Sequence, residues 1–201
     1  TVEDDFGDPV EGVDVAFEIQ SGPNAPGGDS GVTAADGTTD FTYTGVQGLA
    51  GLGQDDIQAC FTNGAGTQVC DDATKDWVDT TPPVVQCVET TNPAGNVPVA
   101  GANPKSGQNP DGFYELIATD AVDPNPQLTV SDDGSSATFG PFASGTRIKL
   151  TQAPGATPNQ KPGPGAVDWH ITTNGDALVT ATDASGNVSA PVSCRVAPLP
   201  K

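Results

Sequence analysis

Residues 13–20, Val-Asp-Val-Ala-Phe-Glu-Ile-Gln, alternate without a break: Val13, Val15, Phe17 and Ile19 fall on one side, Asp14, Glu18 and Gln20 on the other. A period of two marks a half-buried β-strand, because successive side chains of an extended chain point to opposite faces. The same period recurs further along. Phe41 and Tyr43 share a face in a second run, and Ile57, Ala59 and Phe61 in a third. The stretch from Ser21 to Gly31 is rich in Gly, Pro and Asn and reads as a loop. Nothing in this half of the chain repeats at 3.6 residues, so no amphipathic helix is expected there.

The segment Cys60-Phe-Thr-Asn-Gly-Ala-Gly-Thr-Gln-Val-Cys70 reads as a hairpin with an Asn/Gly tip. Setting Phe61 against Val69 puts Cys60 opposite Cys70, on the face away from Ile57, Ala59 and Phe61. A bond between them is then a staple on the outer face of the hairpin. Asp76 to Pro83, Asp-Trp-Val-Asp-Thr-Thr-Pro-Pro, closes this half: two prolines cannot continue a ladder, and they hold the backbone extended. The expected division is 1–78 and 79–201.

Strand-like runs in the second half cover Val84 to Thr90, Phe113 to Thr119, Gln127 to Ser131, Thr138 to Phe142, Thr146 to Thr151, Val167 to Thr173, Ala177 to Thr182 and Val192 to Val196. Many short strands with turn signals between them suggest a sandwich. An irregular stretch from Asn92 to Gly112 interrupts them. Asn174-Gly175 predicts a two-residue hairpin with Ile171 opposite Leu178. Cys87 lies in the first of these runs and Cys194 in the last, so pairing them would join the ends of the domain.

Composition narrows the function. The 201 residues carry 26 acids against seven Lys and Arg, a net charge of -19, which repels nucleic acid and anionic membranes and attracts divalent cations. Glycine and proline number 25 and 19, with no Gly-X-Y period, as expected of many turns between many strands. No run approaches the roughly 20 apolar residues of a membrane-spanning helix. Four cysteines without a Cys-x-x-Cys or Cys/His cluster point to disulfides and an oxidising, extracellular or cell-surface location.

Residues 2–20 resemble bacterial immunoglobulin-like modules of the invasin and intimin type, through the pattern D-x-x-G-x-P-V-x-G-V-x-V-x-F. Ser21-Gly22-Pro23-Asn24, Asp36-Gly37, Phe41-Thr42-Tyr43-Thr44-Gly45 and Asp55-Asp56-Ile57-Gln58-Ala59 continue the likeness in order. Such modules carry a further strand before this signature. Two readings therefore stay open for the edge near Val2 to Val10: a piece of a longer chain, or a neighbouring copy that supplies the strand and builds a fibre. Residues 79–201 resemble hyalin-repeat and related bacterial immunoglobulin-like domains, through Asp79-Thr80-Thr81-Pro82-Pro83 and Ala181-Thr182-Asp183-Ala184-Ser185-Gly186-Asn187. The likeness places a bridge at Cys87 and Cys194. It implies an all-β chain of two tandem immunoglobulin-like β-sandwich domains, partnered by neighbouring modules or copies of itself.

Calcium is the expected cofactor, since Asp, Asn and carbonyl oxygens are its ligands and Asp-rich turns supply them. The candidates are Asp76 and Asp79 flanking the linker, Asp120, Asp123 and Asn125 in one turn, and Asp183 and Asn187 in another. None has EF-hand spacing, and plain Asx turns with solvated carboxylates are the competing reading. Catalysis is not expected. The only histidine, His170, alternates outward beside Asp168, no G-x-S-x-G nucleophile motif accompanies it, and aromatic platforms for sugar cleavage are scarce. Lys149 alternates outward, against an isopeptide bond. Trp77 and Trp169 are the residues able to stack on a sugar, though core and junction packing account for them as well. The reading is a non-enzymatic structural or adhesive module, a stalk, adhesin segment or fibre subunit. The alternative is a carbohydrate-binding accessory module of a secreted hydrolase, with surface polysaccharide as its partner.

Overall fold

The computed structural model describes residues 1–90 and 111–194, without the side chain of residue 111. The chain is all-β: thirteen strands and one short 3-10 turn, Leu49–Gly51, are its elements among the described residues. It divides into two compact units, Thr1–Asp79 and Thr80–Lys201.

The first unit is one antiparallel sheet of four strands, β1 (Asp14–Ser21), β2 (Gly27–Val32), β3 (Gly53–Thr62) and β4 (Gln68–Trp77), in the order β2-β1-β3-β4. The alternation of β1 sends Val15 and Ile19 into the interior, both at most 5% exposed. Phe17 stacks on Phe41 and Phe41 on Tyr43, with centroids 5.3 and 5.1 Å apart, and Tyr43 meets Trp77 edge-on. The Phe41–Tyr43 run is therefore inward-facing, as its period implies, but it is extended chain without a ladder and forms no second sheet. The sandwich expected for 1–78 is in this respect replaced by a single sheet with an aromatic cover.

The Gly/Pro/Asn stretch read as a loop contains β2, whose glycines let it lie against β1: a Cβ on Gly28 would sit 2.5 Å from the Phe17 carbonyl oxygen. Residues 2–10 are no open sheet edge, for Val10 N donates to Val2 O, Val2 N donates to Gly37 O, and Val2 is buried. The free edges of the sheet are β2 and β4. The 60–70 hairpin forms in the register read from sequence, Phe61 against Val69 and Cys60 bonded to Cys70.

The second unit has two sheets. One is β10-β11-β9-β6-β5, built from β5 (Val84–Glu89), β6 (Asp111–Thr119), β9 (Thr146–Gln152), β10 (Asn159–Pro162) and β11 (Trp169–Thr173). The other is β13-β12-β7-β8, built from β7 (Gln127–Asp132), β8 (Thr138–Phe142), β12 (Ala177–Thr182) and β13 (Val192–Cys194). Leu116, Ile148, Leu150 and Ile171 from the first pack with Leu128, Val130, Val179 and Ala181 from the second, all at most 1% exposed. Cys87 on edge strand β5 is bonded to Cys194 on edge strand β13, fastening the two sheets along one side.

The Asn174-Gly175 hairpin does not form. Strand β11 pairs with β9, in parallel, and with β10, whereas β12 pairs with β7 and β13, so Asn174-Gly175 is a crossover between sheets. Ile171 and Val179 both belong inside, and facing sheets bury both, which a two-residue hairpin within one sheet does not achieve. Neither residue has positive φ. Strand β10 carries no apolar alternation and gave no sequence signal. The stretch 92–110 and the end of the Val192–Val196 run lie outside the described residues.

Candidate metal centre

Two acidic turns meet at one end of the second unit. After β6, Asp120 Oδ1 accepts from the N–H groups of Val122 and Asp123, each at 2.8 Å, and Asp123 Oδ1 accepts from Asn125 N at 2.8 Å. After β12, Asp183 Oδ1 accepts from Asn187 N and Oδ2 from Asn187 Nδ2, both at 2.8 Å. These are the local bonds that make Asp and Asn turn formers. Asp123 ties the turns together, its Oδ2 accepting from Ala184 N at 2.9 Å while its side chain is buried.

The arrangement brings Asp120 and Asp183 together, one carboxylate oxygen of each lying within 4.8 Å of the other; Asp79 is the last residue of the first unit. Asp183 is 6% exposed. Its burial favours the protonated form, but hydrogen bonds from Asn187 and from the N–H groups of Ser185 and Gly186 outweigh that and hold its carboxyl below the usual range. Asp120 Oδ2 is buried and has no hydrogen-bond partner among the described residues. A buried carboxyl oxygen left without a partner costs free energy that a cation would recover. The donor set is oxygen only, which suits a hard ion such as calcium and lacks the nitrogen or sulfur that favours zinc.

No model of a known protein family matches the chain, and no curated protein matches it.

The remaining sequence candidates take other places. Asp123, Asn125 and Asn187 build the turns that carry Asp120 and Asp183. Asp76 lies in β4, where its carboxylate accepts from Gln54 Nε2 at 2.9 Å, and it is not in the cluster. Trp77 is edge-on to Tyr43 with its indole N–H bound internally, and Trp169 packs on Phe142 against the core, so neither lies bare as a sugar platform. The ring of His170 bonds Thr151 Oγ1 at 2.8 Å through Nε2.

Two acids without a sequence-based role are the most enclosed among the described residues. Asp55 is 0% exposed and accepts from Asn24 N, Asn24 Nδ2, Tyr43 Oη and Trp77 Nε1. Asp132 is 2% exposed and accepts from Gly134 N, Ser135 Oγ, Asn174 N and Gly175 N. The signal existed: each acid occupies an inward position of an alternating strand, Asp55 with Ile57 and Ala59, Asp132 with Leu128 and Val130. Both carboxylates are used up by donors, so they organise turns and aromatics and leave no oxygen for a substrate.

Proposed function

We propose that the chain is a non-enzymatic structural module of an extracellular or cell-surface protein, an immunoglobulin-like stalk or adhesin segment built to keep its length under tension. The observation that carries this reading is the Cys87–Cys194 bond. It joins the first strand of the second unit to its last described strand, across 107 residues of sequence, so force applied to the ends of that unit runs through a covalent link. Two disulfides among the described residues fit a non-reducing exterior. No helix among the described residues is long and apolar enough to cross a membrane. Calcium at Asp120 and Asp183 belongs to the same reading, as an ion that fastens two turns of the second unit to each other. The polysaccharide-binding alternative is the weaker one, because both of its tryptophans are engaged internally.

Pulling single molecules by their ends tests the proposal. Under oxidising conditions the extension should lack the segment between Cys87 and Cys194. Reduction should release it, adding roughly 370 Å for 107 residues. A second unit that unravels fully while oxidised overturns the reading. So does firm, specific binding to an array of surface polysaccharides by a chain that yields at negligible force.

A further inference from the structure

We infer that β4 is a self-complementary edge, through which two copies of this chain join antiparallel about a two-fold axis at Ala73 into one continuous sheet. Strand β4 is ten residues long, ends the sheet, and is exposed from Gln68 to Asp76. Such an edge is a template for pairing unless something selects its partner.

The backbone fixes which registers exist. Cys60 and Cys70 have Cα atoms 4.1 Å apart, the close spacing of an antiparallel pair that exchanges no backbone bonds. Alternation then turns the N–H and C=O groups of Cys70, Asp72, Thr74 and Asp76 away from β3, toward the free edge. In agreement, Asp72 N is bonded by Asp71 Oδ1 at 2.9 Å. Two copies can pair only even-numbered residues with even-numbered ones, because only those carry outward hydrogen-bonding groups. The two-fold axis therefore passes through a whole residue.

Charge chooses among the axes. Centred on Asp71, on Asp72 or on Lys75, the pairing sets a charged residue against its own copy; centred on Thr74, it opposes Asp72 to Asp76 twice. Centred on Ala73, it opposes Asp71 to Lys75 twice, Asp72 to Thr74, Cys70 to Asp76 and Val69 to Trp77, with no like charges face to face. Asp71, Ala73, Lys75, Val69 and Trp77 lie on the aromatic side of the sheet, so both cross-copy ion pairs and both apolar pairs share one face. The smallest side chain sits at the axis. Lys75 is the sole base among residues 1–79, which hold sixteen acids, and it stands where this register needs it. The same charges that repel an arbitrary strand admit this one, and the contact is isologous, so it closes at two copies. The inference goes beyond the stalk reading, which neither requires nor forbids a dimer.

Sedimentation equilibrium of the full chain at about 0.15 M salt, where repulsion beyond roughly 8 Å is screened, decides it. The native chain should show a monomer–dimer equilibrium between micromolar and millimolar protein. Lys75→Asp or Asp71→Lys alone should weaken it at least about tenfold, each opposing like charges twice. The double exchange Asp71→Lys with Lys75→Asp should restore it. Thr74→Pro, which removes an N–H from the free edge and none from the β3 ladder, should abolish it while circular dichroism stays native. A monomer at all concentrations, open-ended polymers, or folded single variants that the double exchange does not rescue would each overturn the proposal.

Discussion

Trp77 Nε1 donates to Asp55 Oδ2 at 2.8 Å, so the last residue of β4 is fixed by a fully buried acid on β3. Tyr43 and both nitrogens of Asn24 point at the same carboxylate, which joins the extended cover of the first unit to its sheet. Replacing Asp55 by Asn puts a donor among donors. The first unit should lose roughly 3 kcal/mol, more than about 10 °C in its unfolding midpoint, and the Trp77 fluorescence should shift to the red. Asp56→Asn, one residue along on the exposed face, should change the midpoint by less than about 2 °C. Equal effects of the two substitutions would remove Asp55 from its central place.

Acid should unfold both units through these carboxylates. For Asp132, burial raises the pKa, but hydrogen bonds from Asn174 N, Gly175 N, Ser135 Oγ and Gly134 N outweigh it and lower the folded value; at Asp55 burial is likewise outweighed by its donors. A folded pKa below the unfolded value near 4 means that the stabilisation is complete above about pH 4 and is lost as pH falls through the lowered folded value. Unfolding midpoints of the second unit should thus fall steeply below about pH 4. In Asp132→Asn the midpoint should be lower at pH 7 and the slope in the acid window shallower. An unchanged slope would assign the acid sensitivity elsewhere.

The residues that were legible in sequence and those that were not differ in what decides their place. Strands β1, β3, β7, β9 and β12 were readable because inside and outside alternate along the chain itself. The Cys60–Cys70 pair was readable because a tight hairpin fixes its own register. Strands β2 and β10 were not, since glycines and polar residues acquire strand geometry from a neighbour's ladder. Asn174-Gly175 misled because turn preference is local, whereas the choice between hairpin and crossover depends on which core Ile171 and Val179 enter. The acidic turns at Asp120 and Asp183 could be named from sequence, but their meeting, and the use of Asp76 by Gln54, follow only from the fold.

Calcium should stabilise the second unit and magnesium should not, since a flexible, carboxylate-rich set suits the larger ion. With an affinity of about 1 mM, as in extracellular modules, 10 mM calcium adds about 1.4 kcal/mol, a midpoint shift of about 4 °C. Asp120→Asn keeps an oxygen for Val122 N and Asp123 N and replaces the unpartnered Oδ2 with a neutral group. That variant should be at least as stable as the native chain in chelator yet indifferent to calcium. A native midpoint that ignores calcium, or a variant that still responds, refutes the site.

Gly134 and Gly175 supply the sharpest test of the crossover. A Cβ built on Gly134 would lie 2.5 Å from Gly175 N and 2.9 Å from its Cα, and one on Gly175 would lie 2.4 Å from Gly134 N. Neither glycine has positive φ, so close approach of two backbones, and not turn conformation, excludes a side chain at both positions. The same approach lets Asn174 N and Gly175 N reach the Asp132 carboxylate at 2.9 and 2.7 Å. Gly134→Ala should therefore cost the second unit roughly 2 kcal/mol, about as much as Gly175→Ala, and the two together less than the sum, since one displacement relieves both. A hairpin at Asn174-Gly175 gives the opposite expectation, with Gly175 sensitive and Gly134 free to change. Thermal unfolding of the two single variants and the double variant separates the cases, and a neutral Gly134→Ala would mean that the strands on either side do not cross between sheets as described.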